Sequence, residues 1–130
     1  GGAAALAAAI DYLEFIGWKE ITEREEMLTA QLLAGMKKIP GVHILGSGDE
    51  KEHCGIVSFT VDDVHPHDIA SILDEAHVAV RAGHHCAQPL LEWLGISSCA
   101  RASVAFYNTP EDVGRFLDQL AQVRRMMGYE

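Results

Sequence analysis

Two short apolar runs, Val42–Leu45 and Ile56–Val61, flank a glycine- and charge-rich stretch. The stretch Gly46–His53 reads as a solvated loop. The β-branched and aromatic runs on either side therefore read as neighbouring strands that pair antiparallel. That pairing fixes the fold class, because every other periodic segment of the chain has to cover one face of the sheet it starts.

Residues 3–16 read as a helix, since Ala and Leu have high helix propensity and Gly17 follows as a stop. Thr22 and Glu25 have capping-box spacing and predict the start of a second helix. Leu28, Leu32 and Met36 form its stripe, Lys37 and Lys38 sit in its last turn, and Pro40-Gly41 ends it. Pro66 suits the first turn of a third helix, with Ile69, Ile72, Leu73 and Ala76 on one face. Val78–Arg81 reads as a strand, Pro89–Leu94 as a short helix and Arg101–Phe106 as a fourth strand. Thr109, Pro110 and Asp112 open the last helix, whose stripe is Val113, Phe116, Leu117, Leu120 and Val123, with Arg124 and Arg125 at its negative end. The order α-α-β-β-α-β-(α)-β-α predicts an α+β fold, a mainly antiparallel sheet with helices packed on one face. At 130 residues the chain is one domain with one core.

Ten Lys and Arg against 19 Asp and Glu give a net charge of −9, which repels phosphate backbones and anionic membrane surfaces. Nucleic acid and membrane are therefore excluded as expected partners. The Ala-rich start lacks the basic flank of a signal peptide, and Asp11 and Glu14 interrupt it. Three cysteines cannot close a disulfide framework, so a reducing, cytoplasmic setting is expected. The chain also starts without Met, inside what reads as a helix, as a fragment would.

The stretch Arg81–Leu90 breaks all periodicity. Gly83 lets the backbone leave a strand and Pro89 starts the next element, so His84–Gln88 reads as a surface loop. Cys86 on that loop, near Arg81, His84 and His85, is placed where positive charge favours the thiolate, the nucleophilic form. The alternative is a small packed hydrophobe among surface polar residues. Arg101, at the mouth of a strand, presents a planar fork suited to a carboxylate, or else an ion pair with an acidic neighbour. Zinc on some of His53, Cys54, His84, His85, Cys86 and Cys99 is an alternative that the spacing does not favour: no pair of ligands has CxxC-like spacing, and adjacent His84 and His85 point to opposite sides of an extended segment. Cys54 and Cys99 read as packed thiols, and His43, His53, His65, His67 and His77 as surface residues.

The strings RAGHHCAQPLL (Arg81–Leu91), CARASVAFYNTPEDV (Cys99–Val113) and HPHDIASILDEAHVAVRAGHHCA (His65–Ala87) closely resemble the C-terminal domain of group II cysteine desulfurases, the SufS/CsdA-like enzymes. The opening AAAIDYLEFIGWKEI is similar to that family's helix joining its large and small domains. The resemblance implies the small domain of the type I aminotransferase fold, with residues 1–16 in the connecting helix and an N-terminal cofactor-binding large domain outside the chain. It implies a pyridoxal 5′-phosphate enzyme that converts L-cysteine to L-alanine and holds the sulfur as a persulfide for iron–sulfur cluster assembly. In that reading Cys86 is the sulfur-attacking thiol and Arg101 grips the substrate carboxylate. Arg81, His84 and His85 support the loop. The parent would be a homodimer serving a SufE/SufU-type sulfur acceptor.

The family's cofactor lysine lies in the large domain, and Lys19, Lys37, Lys38 and Lys51 sit in unlike contexts. No cofactor is therefore expected on this chain alone, which would be inactive by itself. Two further readings stay open: a stand-alone persulfide carrier or interaction module, and a related small domain with an inert cysteine.

Overall fold

The structure is a computed structural model describing residues 1–129. Its element order is α1 (Gly2–Ile16), α2 (Trp18–Met36), β1 (Val42–Leu45), β2 (Ile56–Val61), α3 (Pro66–Glu75), β3 (Arg81–Gly83), α4 (Gln88–Trp93), β4 (Cys99–Ser103), α5 (Pro110–Leu120) and α6 (Val123–Met126). The four strands form one fully antiparallel sheet in the order β1-β2-β4-β3. This is the predicted α+β class.

Strand alternation divides the sheet into two unlike faces. Val57, Phe59 and Val61 of β2 and Ala100 and Ala102 of β4 are buried against Leu28, Leu32, Leu33 and Met36 of α2, Ile69 and Leu73 of α3, and Val113, Phe116 and Leu120 of α5. Gly35 lets α2 approach α5, since a Cβ there would lie 2.2 Å from Leu117 Cδ1. The other face carries Ser58, Arg101 and Arg81. The first helix buries no residue, and leaves Leu6, Tyr12 and Phe15 open to solvent.

Several boundaries differ from the sequence reading, and at three of them a local hydrogen bond decides the outcome. Thr22 and Glu25 do not cap α2. Gly17, at φ 100°, ends α1 by donating to the Leu13 carbonyl, and its own carbonyl accepts from Ile21. Helix α2 thus starts four residues early, and Thr22 lies inside it. Residues 78–80 do not pair: His77, at φ 59°, closes α3 in a Schellman motif, where the Val78 N–H is used on the Leu73 carbonyl at 2.9 Å. Strand β3 therefore starts only at Arg81. Strand β4 stops at Ser103 because the Ala105 N–H turns onto Asn108 Oδ1 at 2.9 Å. Val123 belongs to the separate turn α6. There Arg124 reaches Asp62 at 3.5 Å and Asp63 at 3.6 Å instead of capping α5.

At the start of α5 the sequence signal holds in full. Thr109 and Asp112 form a reciprocal capping box, the Thr109 N–H donating to Asp112 Oδ2 at 2.9 Å and the Asp112 N–H to Thr109 Oγ1 at 3.2 Å. The Thr109 backbone N–H, chiefly, holds the Asp112 carboxyl below its usual range, with help from the side chains of Thr109, Asn108 and Arg115. Thr109→Ala is expected to cost about 1 kcal/mol in urea unfolding. A carboxyl depressed in the folded state stabilises above its unfolded pKa, and that contribution fades as pH falls through the folded value. The gap in melting temperature between wild type and Asp112→Asn should therefore be open at neutral pH and close in acid.

Candidate active site

Across the sheet face opposite the α2–α3–α5 core, strand register sets Arg81, Arg101 and Ser58 in one row, because Arg101 pairs with Arg81 of β3 and with Ser58 of β2. Directly opposed residues in an antiparallel pair share a face, and like charges so placed are destabilising. No acidic side chain lies within ion-pairing distance of either arginine among the described residues. Arg101 Nε is buried with no hydrogen-bond partner. The alternative of an internal ion pair for Arg101 is thus set aside. The row thus sets two arginines opposite one another in the ladder.

Cys99 is two residues before Arg101 on the same side of β4 and is 1% exposed. Burial pushes its thiol up, against the lowering pull of a Ser58 hydrogen bond and the Arg101 charge. It is a packed thiol, as its sequence context predicts. Cys54 is not: it is exposed, because it stands at the turn before Gly55, whose φ of 76° carries the chain out of the loop into β2.

Cys86 is also exposed, at the tip of the turn that leaves β3. Gly83, at φ 131°, pairs with Cys99 at the last rung of the β3–β4 ladder, and the chain then turns sharply. The His84 carbonyl accepts the Ala87 N–H at 2.9 Å, with His85 at φ 55° and Cys86 at φ 59° between them. His85 reaches back so that its Nε2 lies 3.1 Å from the Cys99 carbonyl oxygen. His84 points into solvent. Helix α4 starts directly after the turn, with Pro89 in its first turn.

Thus the register sets Arg81 opposite Arg101, and the turn carrying His85 and Cys86 leaves β3 two rungs further on, past the Gly83–Cys99 pair. The sequence reading missed Ser58, although the alternation of β2 signals it by setting Ser58 opposite in facing to Val57 and Phe59. It also missed that some histidines fasten loops: His53 lies 2.7 Å from the Ser47 carbonyl and 3.0 Å from that of Ile56, and His65 Nδ1 caps α3. Among the described residues, no three His, Cys, Asp or Glu side chains converge on a metal position.

The family model described as Aminotransferase class-V matches residues 1–116. This chain belongs to that family. Curated relatives of the class-V chain include a "Probable cysteine desulfurase" of Staphylococcus aureus, 47% identical over 125 residues, covering 96% of this chain and 30% of the relative. One of the same description from Staphylococcus epidermidis is 46% identical with the same coverage. Among solved structures, the apo cysteine desulfurase from Thermococcus onnurineus NA1 superposes with a TM-score of 0.91 at 41% identity, over 96% of this chain and 31% of that one. The cysteine desulfurase CsdA of Escherichia coli, in an S-sulfonic acid form, gives 0.71 at 29% identity over 81% of this chain and 25% of that one. The class-V chain therefore spans about 30% of the length of the curated relatives it matches. The superpositions agree with the small domain of the aminotransferase fold.

The fit of a pyridoxal phosphate can be tested on the residues themselves. Such a cofactor needs a lysine for its aldehyde. Lys19 pairs with Glu23 on α2, Lys37 donates to the Gly48 carbonyl, Lys38 follows α2 and Lys51 sits in the β1–β2 loop. None lies on the elements carrying the arginine row. This chain does not supply the cofactor's anchor.

Proposed function

We propose that this chain is the C-terminal small domain of a group II cysteine desulfurase, a pyridoxal 5′-phosphate enzyme that converts L-cysteine to L-alanine. The cofactor, held by the part of the protein outside this chain, supplies the electron sink that weakens the substrate's Cβ–S bond. Residues of this chain then do two things. Arg101, with Arg81 beside it, holds the substrate carboxylate. The Cys86 thiolate attacks the substrate sulfur: a Cys86 S–S bond forms as the Cβ–S bond breaks, and the carbon keeps the electron pair and takes a proton to give alanine. The persulfide on the exposed turn passes to a SufE/SufU-type acceptor for iron–sulfur cluster assembly. The parent works as a homodimer in the cytoplasm, a setting that suits three free cysteines. Among the described residues, no helix is long and apolar enough to cross a membrane.

One observation carries this reading. An exposed thiol on the turn after β3 and an arginine of the neighbouring strand β4 with an unpartnered buried nitrogen occur in one chain whose relatives are named cysteine desulfurases. The test is Cys86→Ala in the full-length protein, with alanine and sulfide measured from L-cysteine and the single-sulfur mass increment sought on the protein. Loss of the adduct and of most sulfur release is expected. Normal sulfur release from the variant would overturn the assignment.

A further inference from the structure

Building on the reading of Cys86 as the sulfur-carrying thiol, we infer that His85 is a positioning residue: its bond to the Cys99 carbonyl latches a strained left-handed turn that fixes where Cys86 stands. The turn His84–Ala87 has positive φ at both central residues, 55° at His85 and 59° at Cys86, closed by the 2.9 Å bond from the Ala87 N–H to the His84 carbonyl. Two successive left-handed residues are the signature of a type I′ turn, which favours Asn-Gly because a Cβ clashes in that region. Here the pair is His-Cys, so the backbone alone disfavours the conformation it adopts.

What holds the turn is visible in the structure. Opposite a carbonyl oxygen, His85 Nε2 can only donate, and at 3.1 Å it ties the turn to Cys99, the β4 residue at the last rung of the β3–β4 ladder. Nδ1 of the same ring is buried and has no partner, so the single Nε2 bond is the ring's polar attachment. With that bond made, the turn is fastened to a strand of the sheet while the thiol stays exposed. With it broken, the strain at both residues relaxes as the turn opens, and Cys86 is free to swing. One hydrogen bond thus separates a held thiol from a mobile one. A sulfur carrier needs both conditions, the first to meet its substrate and the second to hand the sulfur on.

The test measures the turn directly and needs no activity. Amide hydrogen exchange of Ala87 is followed by NMR in this chain for wild type, His85→Ala, His85→Gly and Cys86→Gly. His85→Ala removes the latch and leaves the steric penalty, so Ala87 exchange should rise at least about tenfold. His85→Gly also removes the latch but adopts positive φ freely, so its rise should be much smaller. Cys86→Gly keeps the latch and relieves strain, so Ala87 should exchange more slowly than in wild type. Cys99, 1% exposed, is the internal control in the two His85 variants: its alkylation should stay slow relative to exposed Cys54, showing an opened turn in an intact sheet. Ala87 exchange in His85→Ala within twofold of wild type, or equal rises in His85→Ala and His85→Gly, would overturn the latch. Neither result bears on whether Cys86 carries sulfur, which the Cys86→Ala assay decides separately.

Discussion

Phe59→Ala should lower the unfolding free energy by about 3–5 kcal/mol, the cost of removing a large aromatic from a closed core. Phe59 is fully buried on β2, a central strand of the sheet. Its ring meets Phe116 of α5 edge-on, with centroids 6.0 Å apart and planes at 76°. The residue therefore joins the sheet to its helical cover at one point, and the aromatic pair adds about 0.5–1.5 kcal/mol to simple burial. Domains of this size have only about 5–15 kcal/mol in total, so the variant should melt on the order of 10–20 °C lower. Phe59→Leu should lose less than half as much, because it keeps most of the apolar volume. Urea denaturation followed by circular dichroism measures both. If Phe59→Ala cost less than 1.5 kcal/mol, the sheet–helix interface described here would be wrong. In a double-mutant cycle with Phe116→Ala the two losses should fall short of additive, since either change breaks the same contact.

The core that such a change would damage is written plainly in the sequence. The antiparallel pairing of Val42–Leu45 with Ile56–Val61 needed only two β-branched runs and a polar loop, and the stripe of α5 needed only its 3.6-residue spacing. What the sequence did not disclose were competitions between hydrogen bonds at element ends. Thr22-x-x-Glu25 has capping-box spacing, yet a glycine upstream had already started the helix. Val78 is a good strand residue, yet its N–H closes α3 once His77 takes up a left-handed conformation. In both cases a local motif lost to a neighbour that satisfied the same backbone group first. The candidate site divides in the same way. Residue types alone singled out Cys86 and Arg101. The alignment of Arg81, Arg101 and Ser58 is a matter of register, which exists only once strands distant in sequence pair. The left-handed backbone at Cys86 could not be foreseen, because cysteine is not among the residue types enriched there.

Arg101→Gln in the full-length protein should reduce kcat/KM for L-cysteine by about 30- to 5,000-fold, which corresponds to the roughly 2–5 kcal/mol lost when one partner of a hydrogen-bonded charge pair is truncated. The size of the effect follows from the setting. Arg101 is half-buried, its Nε has no partner, and Arg81 stands directly across from it on β3. Two arginines facing one another in a ladder repel, and a carboxylate bound in two parallel hydrogen bonds relieves that repulsion. The same argument predicts an opposite effect on stability. Removing one of two facing like charges should leave the melting temperature of the domain unchanged or raised, whereas an arginine serving a structural ion pair would lower it. Arg101→Lys keeps the charge and loses the planar fork, so its kcat/KM should fall between those of wild type and Arg101→Gln. A kcat/KM within threefold of wild type in Arg101→Gln, with stability lost, would move Arg101 out of the substrate site and into the scaffold.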